Sequence, residues 1–361
     1  MNRPGNATLR YSDWVAIRRS EDAMNMDVLE KTALELVAAG RGILAADEST
    51  GTIKKRFEKI GVESTEETRR RYRQMLFTTP ELGQHISGVI LYDETIRQSA
   101  DDGRPFPKVL EEAGPIPGIK VDTGAKPLAL FPGETVTEGL DGLRERLVEY
   151  RGLSARFAKW RATYFIGDRL PTAFALEANA HAMARYAALC QEEDLVPIVE
   201  PEVLMDGDHS IQRCEEVTAA VLREVFAALE RHRVHLPGML LKTNMVLSGS
   251  DAPDRAGAEE VAESTIRCLR DTVPPEVPGI VFLSGGQGDV EATAHLDAMN
   301  RRGPHPWELS FSYGRALQAP SLQAWGGEEA NTADAQKALA HRAGMNGLAR
   351  SGSWSEDIES A

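Results

Sequence analysis

Residues 196–203 read Val-Pro-Ile-Val-Glu-Pro-Glu-Val. The run is short, apolar and broken only by Glu200 and Glu202, which stand at i and i+2 and therefore share one strand face. Seven further runs have the same character: 42–48 (GILAADE), 85–95 (HISGVILYDET), 118–124 (GIKVDTG), 157–166 (FAKWRATYFI), 238–246 (GMLLKTNMV), 279–286 (GIVFLSGG) and 307–314 (WELSFSYG). Longer stretches with helical spacing lie between most of them, such as 171–193, 211–232 and 256–271. Strands that alternate with helices predict an α/β protein with a parallel sheet. Eight strand runs in 361 residues predict a closed (β/α)8 TIM barrel. An open doubly wound sheet wants a G-x-G-x-x-G turn after its first strand. Here the first run is followed by Ser49-Thr-Gly-Thr-Ile-Lys-Lys55 instead.

The barrel is expected over residues 27–345 as a single catalytic domain. Residues 1–26 read as an N-terminal arm, and residues 346–361, polar and weakly periodic, as a C-terminal tail. The stretch 124–145 carries Pro and Gly and reads as a long loop after the third strand. Lys plus Arg number 41 against 55 Asp plus Glu, a net charge of −14. That disfavours binding to nucleic acid or an anionic membrane through global charge, while leaving room for a local basic pocket. The cysteines are three (Cys190, Cys214 and Cys268), widely spaced, with no Cys-x-x-Cys. Neither a disulfide framework nor a zinc knuckle is implied, and a reducing, cytoplasmic setting fits. Residues 1–27 lack the apolar core of a signal peptide, and no stretch approaches a membrane span of about 18 apolar residues. The acceptor pattern Asn6-Ala-Thr8 is read as a chance match.

Active sites of such barrels lie at the C-terminal ends of the strands. In chain order those ends carry Asp47 and Glu48, Lys120 and Asp122, Lys159 and Arg161, Glu200 and Glu202, Lys242, Ser284-Gly285-Gly286, and Ser312-Tyr313-Gly314-Arg315. The i, i+2 pairs face the barrel axis, and Ile119, Val121, Val199 and Leu241 face the helices. Charges in the middle of strands are costly unless paired. So many on one mouth mark chemistry rather than a scaffold. The eight histidines are scattered, and His232-Arg-Val-His235 closes a helix, so no metal site is expected. Lys242 stands alone in an apolar strand and is the candidate nucleophile, since a lysine desolvated among like charges can lose its proton and attack a carbonyl. Glu200 and Glu202, flanking Pro201, are candidates for proton transfer.

Barrels commonly bind phosphate at the loops after strands 7 and 8. Ser284-Gly285-Gly286-Gln287-Gly288 and Gly314-Arg315 fall there. Ser49-Thr50-Gly51-Thr52, Lys54, Lys55, Arg56 and Lys120 form a second cationic patch across the mouth. Two anion sites on either side of a lysine suggest a small substrate phosphorylated at both ends.

These segments resemble class I fructose-bisphosphate aldolases over nearly the whole chain, from about Asp27 to Leu348. The resemblance is carried by Leu44-Ala-Ala-Asp-Glu-Ser-Thr-Gly51, Ala100-Asp-Asp-Gly-Arg-Pro-Phe-Pro107, Val199-Glu-Pro-Glu202, Phe282-Leu-Ser-Gly-Gly-Gln287 and Phe311-Ser-Tyr-Gly-Arg-Ala-Leu-Gln318. It implies a cofactor-free retro-aldol cleavage of fructose 1,6-bisphosphate in glycolysis. In that reading Lys242 forms the Schiff base, Glu200 is acid and base, Asp47 and Lys159 assist cleavage, and Glu202 supports the site. Ser284, Gly285, Gly286, Ser312, Gly314 and Arg315 are expected on the phosphate next to the ketone. Ser49, Thr52, Arg56, Lys120 and Arg161 are expected elsewhere along the sugar bisphosphate. The family is usually homotetrameric. Fructose 1-phosphate and sedoheptulose bisphosphate remain alternative substrates. Two departures stand out: Thr243 follows the lysine where the family commonly has proline, and the chain ends Glu359-Ser-Ala361 without the terminal tyrosine of animal members.

Overall fold

The computed structural model describes residues 26–359. The expected arm, apart from Met26, and Asn6 lie outside that range. Met26 is already helical, in a helix α1 over 26–36. Eight strands close into a barrel: β1 (Gly42–Ala46), β2 (Ile86–Leu91), β3 (Ile116–Lys120), β6 (Phe157–Tyr164), β7 (Val196–Val203), β8 (Leu240–Thr243), β9 (Gly279–Phe282) and β10 (Glu308–Tyr313). Every neighbouring pair is parallel, and β1 closes the ring on β10. The remaining two strands, β4 (Gly124–Pro127) and β5 (Thr135–Glu138), form an antiparallel hairpin. This corrects the loop expected over 124–145. The period-2 signal of β5 is only four residues long and sits among Pro and Gly. The hairpin is fixed to the barrel where Asn179 Nδ2 donates to the Thr135 carbonyl at 2.8 Å and Thr137 Oγ1 to that of Arg161 at 2.8 Å.

The helices around the barrel are α2 (Thr50–Glu58), α3 (Glu66–Phe77), α4 (Asp93–Ile96), α5 (Phe106–Ala113), α6 (Leu143–Gly152), α7 (Ala173–Glu192), α8 (Ile211–Arg231), α9 (Ala258–Thr272), α10 (Asp289–Arg301), α11 (Arg315–Trp325) and α12 (Thr332–Arg350), with a last turn α13 (Glu356–Glu359). Alternation along the strands divides the apolar residues in two. Ile43, Ala45, Ile90, Phe157, Val196, Ile198, Leu240 and Val281 fill the barrel interior with Leu29, Ala33, Leu36 and Val37 near its N-terminal end. Ile119, Val121, Val199 and Leu241 instead join the layer under the helices. The α1 helix packs closely against the barrel: a Cβ on Gly88 would meet Leu36 Cδ2 at 2.6 Å. The charged inward residues of β3, β6, β7 and β8 lie at the other end.

The tail expected from 346 begins later. Helix α12 runs unbroken to Arg350, and Asn346, Gly347, Ala349 and Arg350 are buried. Small and polar residues on the buried face hide its period. Arg350 donates to the Arg41 carbonyl at 2.9 Å, and Asn346 Oδ1 accepts from Thr293 at 2.6 Å, so that polar face is bonded to neighbouring elements. Beyond it the chain lies along α10 and α12. The Trp354 N–H donates to Asp297 at 2.9 Å, Trp354 Nε1 donates to Glu359 at 2.9 Å, and Glu359 takes both terminal nitrogens of buried Arg342.

Candidate active site

The C-terminal ends of the barrel strands surround a cleft of about 860 Å³. The residues expected to carry out the chemistry or touch the substrate line it: Asp47, Ser49, Thr52, Arg56, Lys120, Lys159, Arg161, Glu200, Glu202, Lys242, Ser284, Gly285, Gly286, Ser312, Gly314 and Arg315. Strand register explains the convergence. Lys120 pairs with Lys159, Arg161 with Glu200 and Thr163 with Glu202 across β3, β6 and β7, so the inward cations and carboxylates of three strands meet at one end of the barrel.

At the centre, Glu200 bridges two lysines. Its Oε1 is 3.0 Å from Lys242 Nζ and its Oε2 3.1 Å from Lys159 Nζ. Lys159 Nζ also stands 2.8 Å from Asp47 Oδ2. Lys242, Glu200 and Lys159 are each 3% exposed. Burial works against the charged form of Asp47, but the ammonium groups of Lys159 and Lys242 outweigh it and hold the carboxyl well below the usual range. Glu200 is likewise lowered: burial opposes its charge, and Lys159, Lys242 and Arg161 overcome it. Lys159 is shifted up, because Asp47, Glu200 and Asp122 outweigh its desolvation. Two carboxylates thus hold Lys159 as an ammonium, whereas Lys242 faces one. Glu200 Oε2, though close to Lys159, is buried and makes no aligned hydrogen bond.

Around this centre, Arg161 is ion-paired with Glu202, and Lys120 with Asp122 at 2.8 Å. Glu202 is therefore tied to a guanidinium, which suits support better than proton transfer. Arg56 pairs with Glu48, which also accepts from buried Arg73 at 2.6 Å and from Gln318 at 2.8 Å. Although adjacent to Asp47 in sequence, Glu48 belongs to this separate network beside the mouth. Lys54, expected in the basic patch, pairs with Glu58 at 4.0 Å and does not line the cleft; Lys55 and Lys59 do. Ser49 caps α2 by accepting from the Thr52 N–H, and the two hydroxyls are 3.1 Å apart. They stand at the positive end of the helix dipole.

Opposite, Ser284 to Gln287 form a tight turn closed by Gln287 N–H to Ser284 C=O at 2.9 Å. Gly285 and Gly286 have φ of 52° and 100°, a left-handed pair suited to glycine. The Ser312 hydroxyl, inward on β10, is buried without a partner, and exposed Arg315 carries no ion pair among the described residues. Ser250, Arg255 and Glu291, absent from the sequence reading, also line the cleft, and the last two pair at 2.8 Å. They come from the loop after β8 and the first turn of α10, where no strand end points to them.

The sequence model of the family described as fructose-bisphosphate aldolase class-I matches residues 28–361. The chain belongs to the class I fructose-bisphosphate aldolases. The probable class 1 aldolase of Xanthomonas campestris pv. campestris is 58% identical over 332 residues, covering 92% of this chain and 99% of that one. Fructose-bisphosphate aldolase C of Rattus norvegicus is 52% identical, covering 90% of each chain. The solved aldolase of Plasmodium falciparum superposes with a TM-score of 0.91 at 49% identity, covering 92% of this chain and 96% of that one. The aldolase fold thus agrees with the closed eight-stranded barrel. No helix among the described residues is long and apolar enough to cross a membrane.

Proposed function

We propose that this aldolase cleaves fructose 1,6-bisphosphate reversibly through a Schiff base on Lys242. The observation that carries the assignment is the contact of Lys242 Nζ with Glu200 Oε1 at 3.0 Å at the centre of the cleft, where the neighbouring lysine, Lys159, is bound by two carboxylates. Lys242 gives its ammonium proton to Glu200 and, as the free amine, attacks the C2 ketone. Glu200 returns that proton to the alkoxide, then takes a second from the nitrogen and delivers it to the carbinolamine hydroxyl, which departs as water and leaves the iminium. The iminium accepts the electron pair of the C3–C4 bond as a carboxylate, Asp47 or Glu200, takes the C4 hydroxyl proton. Glyceraldehyde 3-phosphate departs. The enamine is protonated at C3, and water hydrolyses the iminium to release dihydroxyacetone phosphate and the lysine. Lys159, fixed as an ammonium, stabilises the carboxylates and the developing oxyanion.

The ketone-side phosphate is assigned to the turn Ser284–Gly286 with Ser312, Gly314 and Arg315, where backbone N–H groups and an unpaired guanidinium complement a dianion. The other phosphate is assigned to Ser49, Thr52 and Arg56 at the start of α2 with Lys120, and Arg161 with Glu202 bounds the sugar between them. The assembly is proposed to be a homotetramer of 39.5-kDa chains in the cytoplasm, on the family's habit. The test is a coupled assay that follows both triose phosphates from fructose 1,6-bisphosphate, run beside fructose 1-phosphate and sedoheptulose 1,7-bisphosphate. Cleavage of the first with the highest kcat/KM, abolished in Lys242→Met, supports the reading; a preference for either other sugar transfers the same chemistry to that substrate.

A further inference from the structure

The side chain of Gln287 is buried behind the phosphate turn and has no place in the proposed chemistry. Its Nε2 donates to the Ser284 carbonyl at 2.9 Å, the same carbonyl that closes the turn. Its Oε1 lies 2.6 Å from Nδ1 of His295, a buried residue in the second turn of α10. The direction of this chain of bonds is set by chemistry. A carbonyl only accepts, so Gln287 must present its amide nitrogen to Ser284 and its oxygen to the imidazole, and His295 must carry its proton on Nδ1. Burial pushes the imidazole down to about 4, so the ring is neutral at pH 7, in the tautomer with Nδ1 protonated.

We propose that His295 is a positioning residue for phosphate recognition, orienting Gln287 so that its amide locks the Ser284–Gly286 turn. The inference rests on the assignment of that turn to the ketone-side phosphate. Without the imidazole donor, the Gln287 oxygen is left buried without a partner, and the amide is held only by its bond to the Ser284 carbonyl, which it gives up when it turns to satisfy that oxygen elsewhere. The central residues of the turn are two glycines with positive φ, which have no side chains to hold it in place. The turn then has to be ordered by the ligand, which weakens binding of the phosphate it contacts.

Two substitutions separate the hydrogen bond from packing. His295→Asn keeps an N–H at the position of Nδ1 but loses ring volume; His295→Leu keeps much of the volume and loses the donor. In the condensation direction the account expects His295→Leu to raise KM for dihydroxyacetone phosphate roughly three- to tenfold, the scale of one neutral buried hydrogen bond. KM for glyceraldehyde 3-phosphate and kcat should stay within about twofold by the same measure. His295→Asn should keep both KM values near the parent despite a lower melting temperature. Gln287→Met, which removes the middle of the relay, should reproduce the leucine variant and serves if that variant does not fold. A rise in KM for both substrates alike, or an equal rise in His295→Asn and His295→Leu, overturns the inference. Arg315→Ala is measured alongside. If it raises KM for dihydroxyacetone phosphate and the relay variants do not, the inference fails alone; if none of them does, the phosphate assignment fails and takes the inference with it.

Discussion

Lys159 Nζ stands 2.8 Å from Asp47 Oδ2 and 3.1 Å from Glu200 Oε2. One buried cation therefore bridges two carboxylates, and the site depends on it both for stability and for chemistry. Replacing Lys159 with Met leaves Asp47 without its cation and Glu200 with Lys242 alone. The expected outcome is a loss of about 3–5 kcal/mol of folding stability, seen in urea unfolding, together with a fall in kcat of at least about a hundredfold. Loss of stability without loss of kcat would show that Lys159 is purely structural.

This cluster and the neighbouring Glu48 network set the acid limit of the fold. Asp47, Glu200 and Glu48 are all lowered in the folded state, from ordinary values of 3.8, 4.5 and 4.5. Groups with depressed folded values contribute stability that is fully present above their unfolded values and is lost as pH falls through the folded ones. Stability should therefore hold from pH 7 to about 5 and fall steeply below. Asp47→Asn should flatten that fall when thermal melts are compared between pH 3 and pH 7. An unchanged slope would contradict the coupling of Asp47 to the lysines.

Phosphate recognition at the other wall is tested by Arg315→Ala. The guanidinium is exposed at the start of α11 with no ion pair among the described residues, so it is available to a ligand. KM for the bisphosphate should rise by roughly tenfold or more, given about 1.5–3 kcal/mol for a charge-assisted hydrogen bond. An unchanged KM would place the phosphate elsewhere.

The C-terminal segment makes a different prediction. It lies along α10 and α12, held by Trp354 on Asp297 and by Glu359 on Arg342, whose side chain is only 3% exposed. Removing Ser351–Ala361 leaves that guanidinium unpaired and should lower thermal stability by about 2–4 kcal/mol. Cleavage should fall less than about tenfold, under roughly 1.4 kcal/mol of barrier. A hundredfold fall in cleavage, or in hydrogen exchange on dihydroxyacetone phosphate, would assign the segment a direct role.

The centre of the site is legible in the sequence because strand geometry converts spacing into direction. Glu200 and Glu202, or Lys159 and Arg161, are two apart in predicted strands, and alternation sends both members to the axis whatever the register. The barrel class follows from the same runs. Strand ends are less legible: β8 stops at Thr243 and β9 at Phe282, where expected runs continued to 246 and 286, since apolar residues in the loops extend the pattern. Partners across long separations are not legible at all. Nothing in the spacing of Glu48, Arg73 and Gln318 shows that the first is bonded to the other two, and Arg56 reads as a free cation until Glu48 is seen beside it. The last turn of α12 is illegible for another reason: its buried residues there are Asn346, Gly347, Ala349 and Arg350, which carry no hydrophobic period.

The central claim is that Lys242, and not Lys159 or Lys120, carries the covalent intermediate. The most direct measurement is peptide mass spectrometry after borohydride reduction in the presence of dihydroxyacetone phosphate. The account predicts a single reduced adduct on the peptide containing Lys242, absent in Lys242→Met and still formed after exhaustive EDTA treatment. An adduct on Lys159 or Lys120, or no adduct together with activity that EDTA abolishes and zinc restores, would contradict it.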